Sequence, residues 1–224
     1  MIQTSVIQTL AAIGDRIFAE YFRQAHFLLE EGCVPRQIDN ALQAWGWTMG
    51  PFQALDLAGS EAGRADRPGS TIPDRLRDMG RHGRKTGAGY YLYIQQSPQG
   101  LRDPEIEAII VAHSATIGLA RREISPAEIV ERCLLAILNE AAKLLAEGIA
   151  VCPADIDAVC IEGYGFPPAK GGPLREADRI GIAAVLERLR FYQAGYQGWA
   201  FKPASLLTDL AASGVDCLYD PMPI

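Results

Sequence analysis

The sequence predicts an all-α fold, and three observations support this prediction. Apolar residues recur at three-to-four spacing in two long stretches, one from about Ser5 to Glu31 and one that ends near Gly148. Prolines stand repeatedly where short helices would begin. Alternating strand patterns are absent apart from a short extended piece at Tyr90–Ile94.

The ends of the helices are marked in the sequence. Gly32 is expected to stop the first long helix. The run Ser125-Pro126-Ala127-Glu128 reads as a capping box that opens the second, and Gly148 is expected to end it. Shorter helices are expected to begin near the prolines at Pro35, Pro51, Pro73, Pro104, Pro153, Pro173 and Pro203.

Composition excludes several classes of protein. A net charge of −6 and a pI near 5.1 disfavour a nucleic-acid partner. No apolar run is long enough to cross a bilayer, and the first ten residues lack the basic residues of a signal peptide. Five dispersed cysteines without a CxxC pair suit reduced thiols in the cytoplasm. The three histidines have no metal-ligand spacing, so no metal site is expected.

An internal repeat is the most informative feature of the chain. One stretch reads "DRIFAEYFRQAHFLLEEGCVPRQIDNALQAWGWTMGPFQALDLAG", and a later one reads "ERCLLAILNEAAKLLAEGIAVCPADIDAVCIEGYGFPPAKGGPLREADRIG". In both, an acid–Arg pair opens a long helix that ends in Glu-Gly. An Ile-Asp pair, an aromatic-Gly-aromatic run, Gly-Pro, Asp and a closing Gly follow in the same order.

This repeat predicts a helical module that is present twice. Because one such module cannot bury its apolar face alone, we expect the copies to pack about a pseudo-twofold axis. The polar stretch Gln95–Asp103 is the expected boundary, which gives modules at residues 1–96 and 97–224.

The same landmarks resemble the C-terminal domain of the 3-hydroxyacyl-CoA dehydrogenases. "GWTMGPFQALDLAG" and "GRKTGAGYYLY" are similar to the family's signatures for one copy, and "NEAAKLLAEGIAVCPADIDAVCIEGYGFPPAKGGPLREAD" is similar to a second. The resemblance implies two tandem helical modules of the 6-phosphogluconate-dehydrogenase C-terminal type, as in multifunctional fatty-acid β-oxidation enzymes. It also implies an NAD-dependent oxidation of 3-hydroxyacyl-CoA to 3-ketoacyl-CoA.

Members of that family also carry a Rossmann domain, whose glycine-rich turn opens a βαβ unit. The 224 residues contain no such turn. In the family the catalytic His and its Glu partner lie on the Rossmann domain. The resemblance therefore implies that acyl-CoA and NAD meet this chain only together with a Rossmann domain, in the same parent chain or in a partner subunit. The chain alone is expected to be inactive.

Asp15 is the catalytic candidate. The family's long helix supplies an Asn in a Gly-Asn-Arg context, and the matching residues here are Gly14-Asp15-Arg16. Asn can donate a hydrogen bond, whereas ionised Asp only accepts one and opposes a developing alkoxide. Either Asp15 is kept neutral or screened by Arg16, or the protein works poorly as a dehydrogenase. The alternative is that Asp15-Arg16 is a structural pair, as Glu131-Arg132 would be in the second copy.

Lys85 is the cofactor candidate. The loop "GRKTGAGYYLY" meets neither the Walker pattern nor the dinucleotide fingerprint, because Arg84 and Leu92 stand where glycines are needed. The resemblance implies that Lys85 reaches toward NAD on the partner domain. Gly87 and Gly89 would permit a tight turn and close backbone approach. Tyr90, Tyr91 and Tyr93 would fasten the loop to the core, whereas the alternative is a solvated lysine.

Two further groups have a functional and a structural interpretation. A set of arginines could steer phosphates toward the loop, although a solvated basic face is the simpler interpretation. The set comprises Arg64, Arg67, Arg75, Arg77, Arg81 and Arg84. Trp45, Trp47 and Phe52 could line an acyl pocket or belong to the core.

Two functions therefore remain open. The first is the C-terminal, substrate-facing region of an NAD-dependent L-3-hydroxyacyl-CoA dehydrogenase. The second is a non-catalytic acyl-CoA-binding or assembly module with the same fold, which Asp15 in the position of Asn favours.

Overall fold

A computed structural model of the chain describes residues 2–59, 71–94 and 97–219. Within these ranges the chain forms ten α-helices and one two-stranded hairpin, which confirms the predicted all-α class. No helix in this part of the chain is both long and apolar enough to cross a membrane.

The helices follow one another with short connections. Their bounds are α1 Ile2–Glu31, α2 Pro35–Trp45, α3 Pro51–Ala58, α4 Ile72–Asp78, α5 Pro104–Thr116, α6 Pro126–Ala146, α7 Pro153–Tyr164, α8 Pro173–Ile180, α9 Ile182–Gln193 and α10 Ser205–Ala212. The strands are β1 Leu92–Ile94 and β2 Ser97–Leu101. Most helices begin on a proline as predicted, since proline has no N–H group to leave unsatisfied at the first helical position. Helix α10 starts two residues after Pro203.

Helix α1 ends at Glu31 as predicted, but the reason for Gly32 differs from a left-handed cap. A Cβ atom added at Gly32 would lie 1.9 Å from the carbonyl oxygen of Arg122. Glycine is therefore needed here because another segment approaches the backbone closely. At the start of α6, the hydroxyl of Ser125 accepts a hydrogen bond from the N–H of Glu128 at 3.1 Å, as the capping box predicts. The carboxylate of Glu128 binds Arg122.

Strand β2 was not predicted. It pairs antiparallel with β1, with Leu92 opposite Leu101 and Ile94 opposite Ser97. The predicted polar boundary at Gln95–Asp103 therefore contains a strand. The residues here carry no strand signal, because glycine weakens the interior of a strand. The structure explains the glycine, since Gly100 adopts a left-handed φ of 85° and a Cβ there would lie 2.7 Å from the Cβ of Tyr91.

By spatial contact the chain divides into two compact units. One comprises Met1–Gln24 with Glu131–Ile224, and the other comprises Ala25–Val130. Helices α1 and α6 each contribute residues to both units. These units describe contact in space, whereas the sequence modules describe the repeat, so the module boundary near residue 96 stays a prediction.

A buried aspartate organises the unit Ala25–Val130. Asp39 of α2 accepts hydrogen bonds from the backbone N–H groups of Phe52 and Gln53 at 3.0 and 3.1 Å. These N–H groups belong to the first turn of α3 and have no partner within that helix. The N-cap of α3 is Gly50, where a Cβ would lie 2.3 Å from the Asp39 carboxylate. A remote side chain therefore replaces the usual N-cap side chain.

The same arrangement recurs in the other unit. Asp157 of α7 accepts from the N–H groups of Leu174 and Arg175 at 2.7 and 3.2 Å, in the first turn of α8. The N-cap is Gly172, where a Cβ would lie 2.3 Å from Asp157. The Ile-Asp and Gly-Pro landmarks of the repeat thus correspond to one interaction, in which a carboxylate caps the following helix.

In each unit a second aspartate and a tyrosine add hydrogen bonds to this helix cap. Asp56 accepts from the N–H groups of Tyr90 and Tyr91 at 2.9 and 3.0 Å, and the Tyr91 hydroxyl donates to Asp39 at 2.7 Å. In the other unit, Asp178 accepts from the N–H groups of Leu218 and Tyr219, and the Tyr219 hydroxyl donates to Asp157. The structural repeat therefore extends beyond Gly181, to a segment that showed no sequence similarity.

One aromatic ring lies against α1 in the unit of Met1–Gln24 with Glu131–Ile224. Tyr164, the last residue of α7, lies over Gly14, where an added Cβ would be 1.9 Å from the ring atom Cε2. The ring stacks on Phe18 with centroids 4.6 Å apart and planes 17° apart. Gly14 thus provides the space in which Tyr164 packs.

The buried aspartates predict how stability depends on pH. Burial raises the pKa of Asp39 to about 7, against the three donors that favour the carboxylate, and burial also raises the pKa of Asp56 and of Asp157. An Asp side chain in the unfolded chain has a pKa of about 3.9. The preference of the folded state for protonated Asp39 therefore stabilises the fold fully below about pH 4, and this stabilisation is lost as the pH rises to about 7. We expect the free energy of unfolding, measured by urea titration, to fall across this range.

Asp39→Asn should reduce that slope, because it removes one of the titrating groups. Asp155→Asn is the matched control, since Asp155 is an exposed residue of α7. A slope that Asp39→Asn leaves unchanged would show that Asp39 does not hold the proton.

Gly14→Ala should destabilise the chain by about 1–3 kcal/mol, because the new methyl group displaces the Tyr164 ring. Gly163→Ala is the matched control. It lies in α7 with no atom within 4 Å of the added Cβ, so alanine should stabilise that helix by about 0.5–1 kcal/mol. Thermal and urea unfolding measure the stability of both variants. The packing at Gly14 is refuted if both substitutions stabilise.

Candidate functional site

Asp15, the predicted catalytic residue, lies on the exposed face of α1. Its Oδ1 atom accepts a hydrogen bond from the Tyr164 hydroxyl at 2.6 Å. The same hydroxyl lies 3.2 Å from the carbonyl oxygen of Ala11, which is a second and more distant acceptor. Burial, followed by the hydrogen bond to Asp15, raises the pKa of Tyr164 above its usual range. The phenol therefore remains a hydrogen-bond donor at any physiological pH.

Arg16 does not pair with Asp15. It instead binds the carboxylates of Glu140 and Glu147, and its hydrogen bonds to Glu147 and Glu140 hold its pKa above the usual range against partial burial. Asp15 and Arg16 therefore contact different parts of the chain and not each other, and whether Asp15 has a catalytic or a structural role stays a prediction. In the second copy the carboxylate of Glu131 binds Arg188 and Tyr192 in the same manner.

Lys85 lies on a 3₁₀ turn over Arg84–Thr86 and is exposed. Backbone hydrogen bonds close the turn, from Gly83 to Ala88 and from Tyr93 to Gly87, both at 2.9 Å. Gly87 has a left-handed φ of 76°, which agrees with the predicted tight turn. The lysine stem runs past Gly59, where an added Cβ would be 3.7 Å from Cδ and Cε. The ammonium group therefore projects from a fixed backbone.

Asp56 holds this loop against the end of α3. Added Cβ atoms at Gly83 and Gly89 would lie 2.1 Å from the Asp56 carbonyl oxygen and 2.0 Å from its Oδ1. Close backbone approach at Gly89 was predicted, whereas the role of Gly83 was not. Tyr90 and Tyr91 are buried, and the hydroxyl of Tyr93 donates to Asp56 at 3.0 Å. The tyrosines thus fasten the loop to the core, as predicted.

Two arginines of the predicted basic cluster are paired with carboxylates, and a third lies over an aromatic ring. Arg77 pairs with Asp74, and the buried Arg81 binds Asp103 and the carbonyl oxygen of Gly89. The guanidinium of Arg84 lies over the ring of Tyr93 at 5.3 Å. Arg64 and Arg67 lie outside the described residues. The structural interpretation of this cluster is therefore favoured over long-range steering.

The aromatic residues around the Gly-Pro corner belong mainly to the core. Phe52 and Trp47 are buried, with relative exposures of 0% and 6%, while Trp45 is half-buried. Phe52 packs on Tyr90 with ring centroids 4.6 Å apart. A cavity beside Tyr90 and Tyr91 has a volume of about 10 Å³, which suits a water molecule and not an acyl chain.

Among the described residues, Tyr164 contacts Asp15 and was not predicted from the sequence. The aromatic-Gly-aromatic landmark contains it, but landmark order gives no direction for a side chain. Asp15 and Lys85 belong to different compact units.

Comparison with known proteins agrees with this architecture. The sequence model for the 3-hydroxyacyl-CoA dehydrogenase C-terminal domain matches twice, at residues 13–93 and 129–215. The peroxisomal bifunctional enzyme of Danio rerio is 37% identical in an alignment 226 residues long, which covers 90% of this chain and 32% of that protein. The fatty acid oxidation complex subunit alpha of Shewanella amazonensis is 37% identical over 212 residues, covering 89% and 29% of the two chains.

Solved structures show the same fold. The dehydrogenase part of multifunctional enzyme 1 from C. elegans superposes with a TM-score of 0.69 at 24% identity, covering 89% of this chain and 47% of that one. The 3-hydroxybutyryl-CoA dehydrogenase of Escherichia coli gives 0.67 at 21% identity, covering 91% and 60%.

The chain spans about a third of the length of the curated relatives that it matches. Within that third, the two successive matches cover the repeats found in the sequence, and the two capping aspartates, Asp39 and Asp157, lie in those repeats. The chain therefore belongs to the 3-hydroxyacyl-CoA dehydrogenase C-terminal domain family.

Proposed function

We propose that this chain is the C-terminal, substrate-facing region of an NAD-dependent L-3-hydroxyacyl-CoA dehydrogenase of fatty-acid β-oxidation. The reaction is the reversible oxidation of a 3-hydroxyacyl-CoA to the 3-ketoacyl-CoA. The observation that carries the proposal is the double match to this dehydrogenase family, together with relatives whose names are those of fatty-acid oxidation proteins.

The base that removes the hydroxyl proton comes from a Rossmann domain in this proposal. Such a base must touch the substrate. Among the described residues, His113 lies 3.3 Å from the carboxylate of Glu30, but its exposure is 3% and no substrate could reach it. His26 is bound to the Tyr90 hydroxyl at 2.6 Å within the aromatic core. These two histidines therefore serve the fold.

NAD supplies the hydride acceptor when it is bound to the Rossmann domain, and Lys85 is the residue of this chain that fits it. The lysine is exposed on a turn that is held by the backbone hydrogen bonds of Gly83 and Tyr93 and by the close approach of Asp56. A compact ammonium group on such a turn suits a point-charge contact to a phosphate. The described residues form no salt bridge with Lys85, so its charge is available.

Asp15 supplies a polar contact on the substrate side of the first long helix. Its exposed position on α1 suits contact with a ligand, and its Oδ1 atom is oriented by Tyr164. The acyl-CoA would lie against this face of α1, with the Rossmann domain opposite.

A second candidate function is a non-catalytic acyl-CoA-binding or assembly module. The hydrogen bond between Asp15 and Tyr164 favours it, because the acid then has a structural use. The DNA immediately upstream discriminates the two functions: an in-frame βαβ unit with a glycine-rich turn supports the dehydrogenase.

We keep a cytoplasmic location as a prediction of the sequence. The relatives include proteins named peroxisomal and glyoxysomal, so a fluorescent fusion of the parent protein would decide between these locations.

The purified chain should not reduce acetoacetyl-CoA with NADH, whereas the joined enzyme should. The joined enzyme is this chain fused behind the upstream-encoded Rossmann domain or, if none is encoded, behind that of another family member. The loss of NADH absorbance measures the reductase activity of both proteins. Activity of the chain alone would overturn the assignment of the base, and an inactive but folded joined enzyme would favour the binding module.

Lys85→Met should weaken NADH binding to the joined enzyme by roughly fivefold, because a solvent-exposed charge contact contributes about 1 kcal/mol. The loss should shrink at high salt, since salt screens an exposed charge. Fluorescence titration of NADH measures the dissociation constant. Lys202→Met is the control, because it removes the same charge from another exposed position. Equal effects of the two substitutions would show that Lys85 makes no specific contact.

A further inference from the structure

We propose that Tyr164, which comes from the second copy of the repeat, is a positioning residue for Asp15. Its hydroxyl holds the Oδ1 atom and leaves Oδ2 for a donor on the ligand. The positioning itself stands on geometry alone, whereas its consequence for turnover rests on the proposed function.

The Tyr164 ring is held in one place from several sides. Gly14 leaves the space that the ring occupies, and Phe18 stacks on its face at 4.6 Å. The backbone is fixed as well, because Gly165 adopts a left-handed φ of 72° and the N–H of Phe166 donates to the carbonyl oxygen of Cys160 at 3.0 Å. A ring fixed at both its face and its backbone delivers the hydroxyl to a defined point.

The Tyr164 hydroxyl contacts Asp15, the residue that matches the family's Asn, and has one further acceptor within reach. Its single proton faces two acceptors, Asp15 at 2.6 Å and the Ala11 carbonyl oxygen at 3.2 Å, and Asp15 is the closer. The Ala11 carbonyl already belongs to the hydrogen-bonded ladder of α1. The Asp15 carboxylate is therefore the acceptor for which this geometry is arranged.

This hydrogen bond has two chemical consequences. Donation by a phenol withdraws charge from the carboxylate, which eases the conflict between Asp15 and a developing alkoxide. It also selects an orientation. If residue 15 were Asn, its carbonyl oxygen would accept from Tyr164, and its amide N–H groups would then point away as donors. Tyr164 thus determines which atom of residue 15 a ligand meets.

The repeat provides a comparison within the same chain. In the second copy, the equivalent acid Glu131 accepts from the Tyr192 hydroxyl, which lies on α9. That pair also includes Arg188, which binds both carboxylate oxygens of Glu131. Both oxygens of Glu131 are thereby occupied, whereas in Asp15 only Oδ1 is engaged by the described residues. The first copy alone keeps an oxygen for a ligand.

The first experiment needs no activity. Tyrosine labelled with ¹³C at Cζ is observed by NMR in the purified chain at constant pH, and Tyr164→Phe identifies the Tyr164 signal. Burial, followed by the hydrogen bond to Asp15, raises the pKa of the phenol above its usual range, so the phenol stays protonated in this experiment. Asp15→Asn should shift the Cζ resonance of Tyr164, because a hydrogen bond to a carboxylate is replaced by a weaker one to an amide. Asp155→Asn should leave the resonance unchanged. An unchanged resonance in Asp15→Asn overturns the inference.

The second experiment is a double-mutant cycle in the joined enzyme. Asp15→Asn should raise kcat by roughly tenfold, since a donor replaces a carboxylate at the reacting oxygen. In the Tyr164→Phe background, the gain should fall below about threefold, because the amide is no longer oriented. In the Tyr192→Phe background, the full gain should remain. KM should change little across the cycle.

The outcomes separate the two proposals. Equal gains in the Tyr164→Phe and wild-type backgrounds would show that Tyr164 only stabilises the fold, and this refutes the positioning role. If every joined enzyme is folded and inactive, the proposed function fails, and the NMR comparison still decides whether Tyr164 holds Asp15.

Discussion

The structure depends on one interaction above all, the capping of a helix by a buried carboxylate from the helix before it. Asp39 and Asp157 each accept two N–H groups from the first turn of the next helix. The first turn of a helix has donors without partners, and a buried donor left alone is costly. Both N-caps are glycines that would collide with the aspartate if they carried a side chain. The Ile-Asp and Gly-Pro landmarks thus depend on one another, which explains why they recur together.

The same interaction connects the fold to the candidate cofactor contact. The Tyr91 hydroxyl completes the bonds of Asp39, and the backbone of Tyr91 binds Asp56. Because the loop that carries Lys85 begins and ends beside Asp56, the helix cap and the loop form one continuous network. In the other unit, Tyr219 and Asp178 repeat these contacts. Duplication has therefore preserved the supporting contacts in both copies.

The sequence was sufficient for the features that follow from local chemistry. Helix starts at proline, the end of α1 and the buried Phe52 all agree with the structure, since spacing and backbone restrictions determine them. It was insufficient where distant segments meet. Nothing near Gly32 indicates that Arg122 approaches it, and the pairing of β2 depends on β1. Asp15 was found through its motif, but Tyr164 lies 149 positions away in sequence and only folding brings it to Asp15.

The contact between Tyr164 and Asp15 also shows that the two copies of a repeat can have different roles. Two copies of one module need not both bear a functional group, provided that each can bury its apolar face. In the second copy the acid at the start of the long helix is fully bound by Arg188 and Tyr192, so it is available only to the fold. In the first copy the corresponding acid is exposed and held at one oxygen by a residue of the second copy. A change at residue 164 would therefore alter the chemistry at residue 15 while the caps made by Asp39 and Asp157 stay intact. For that reason the second copy is a part of the candidate site and not merely a support for it.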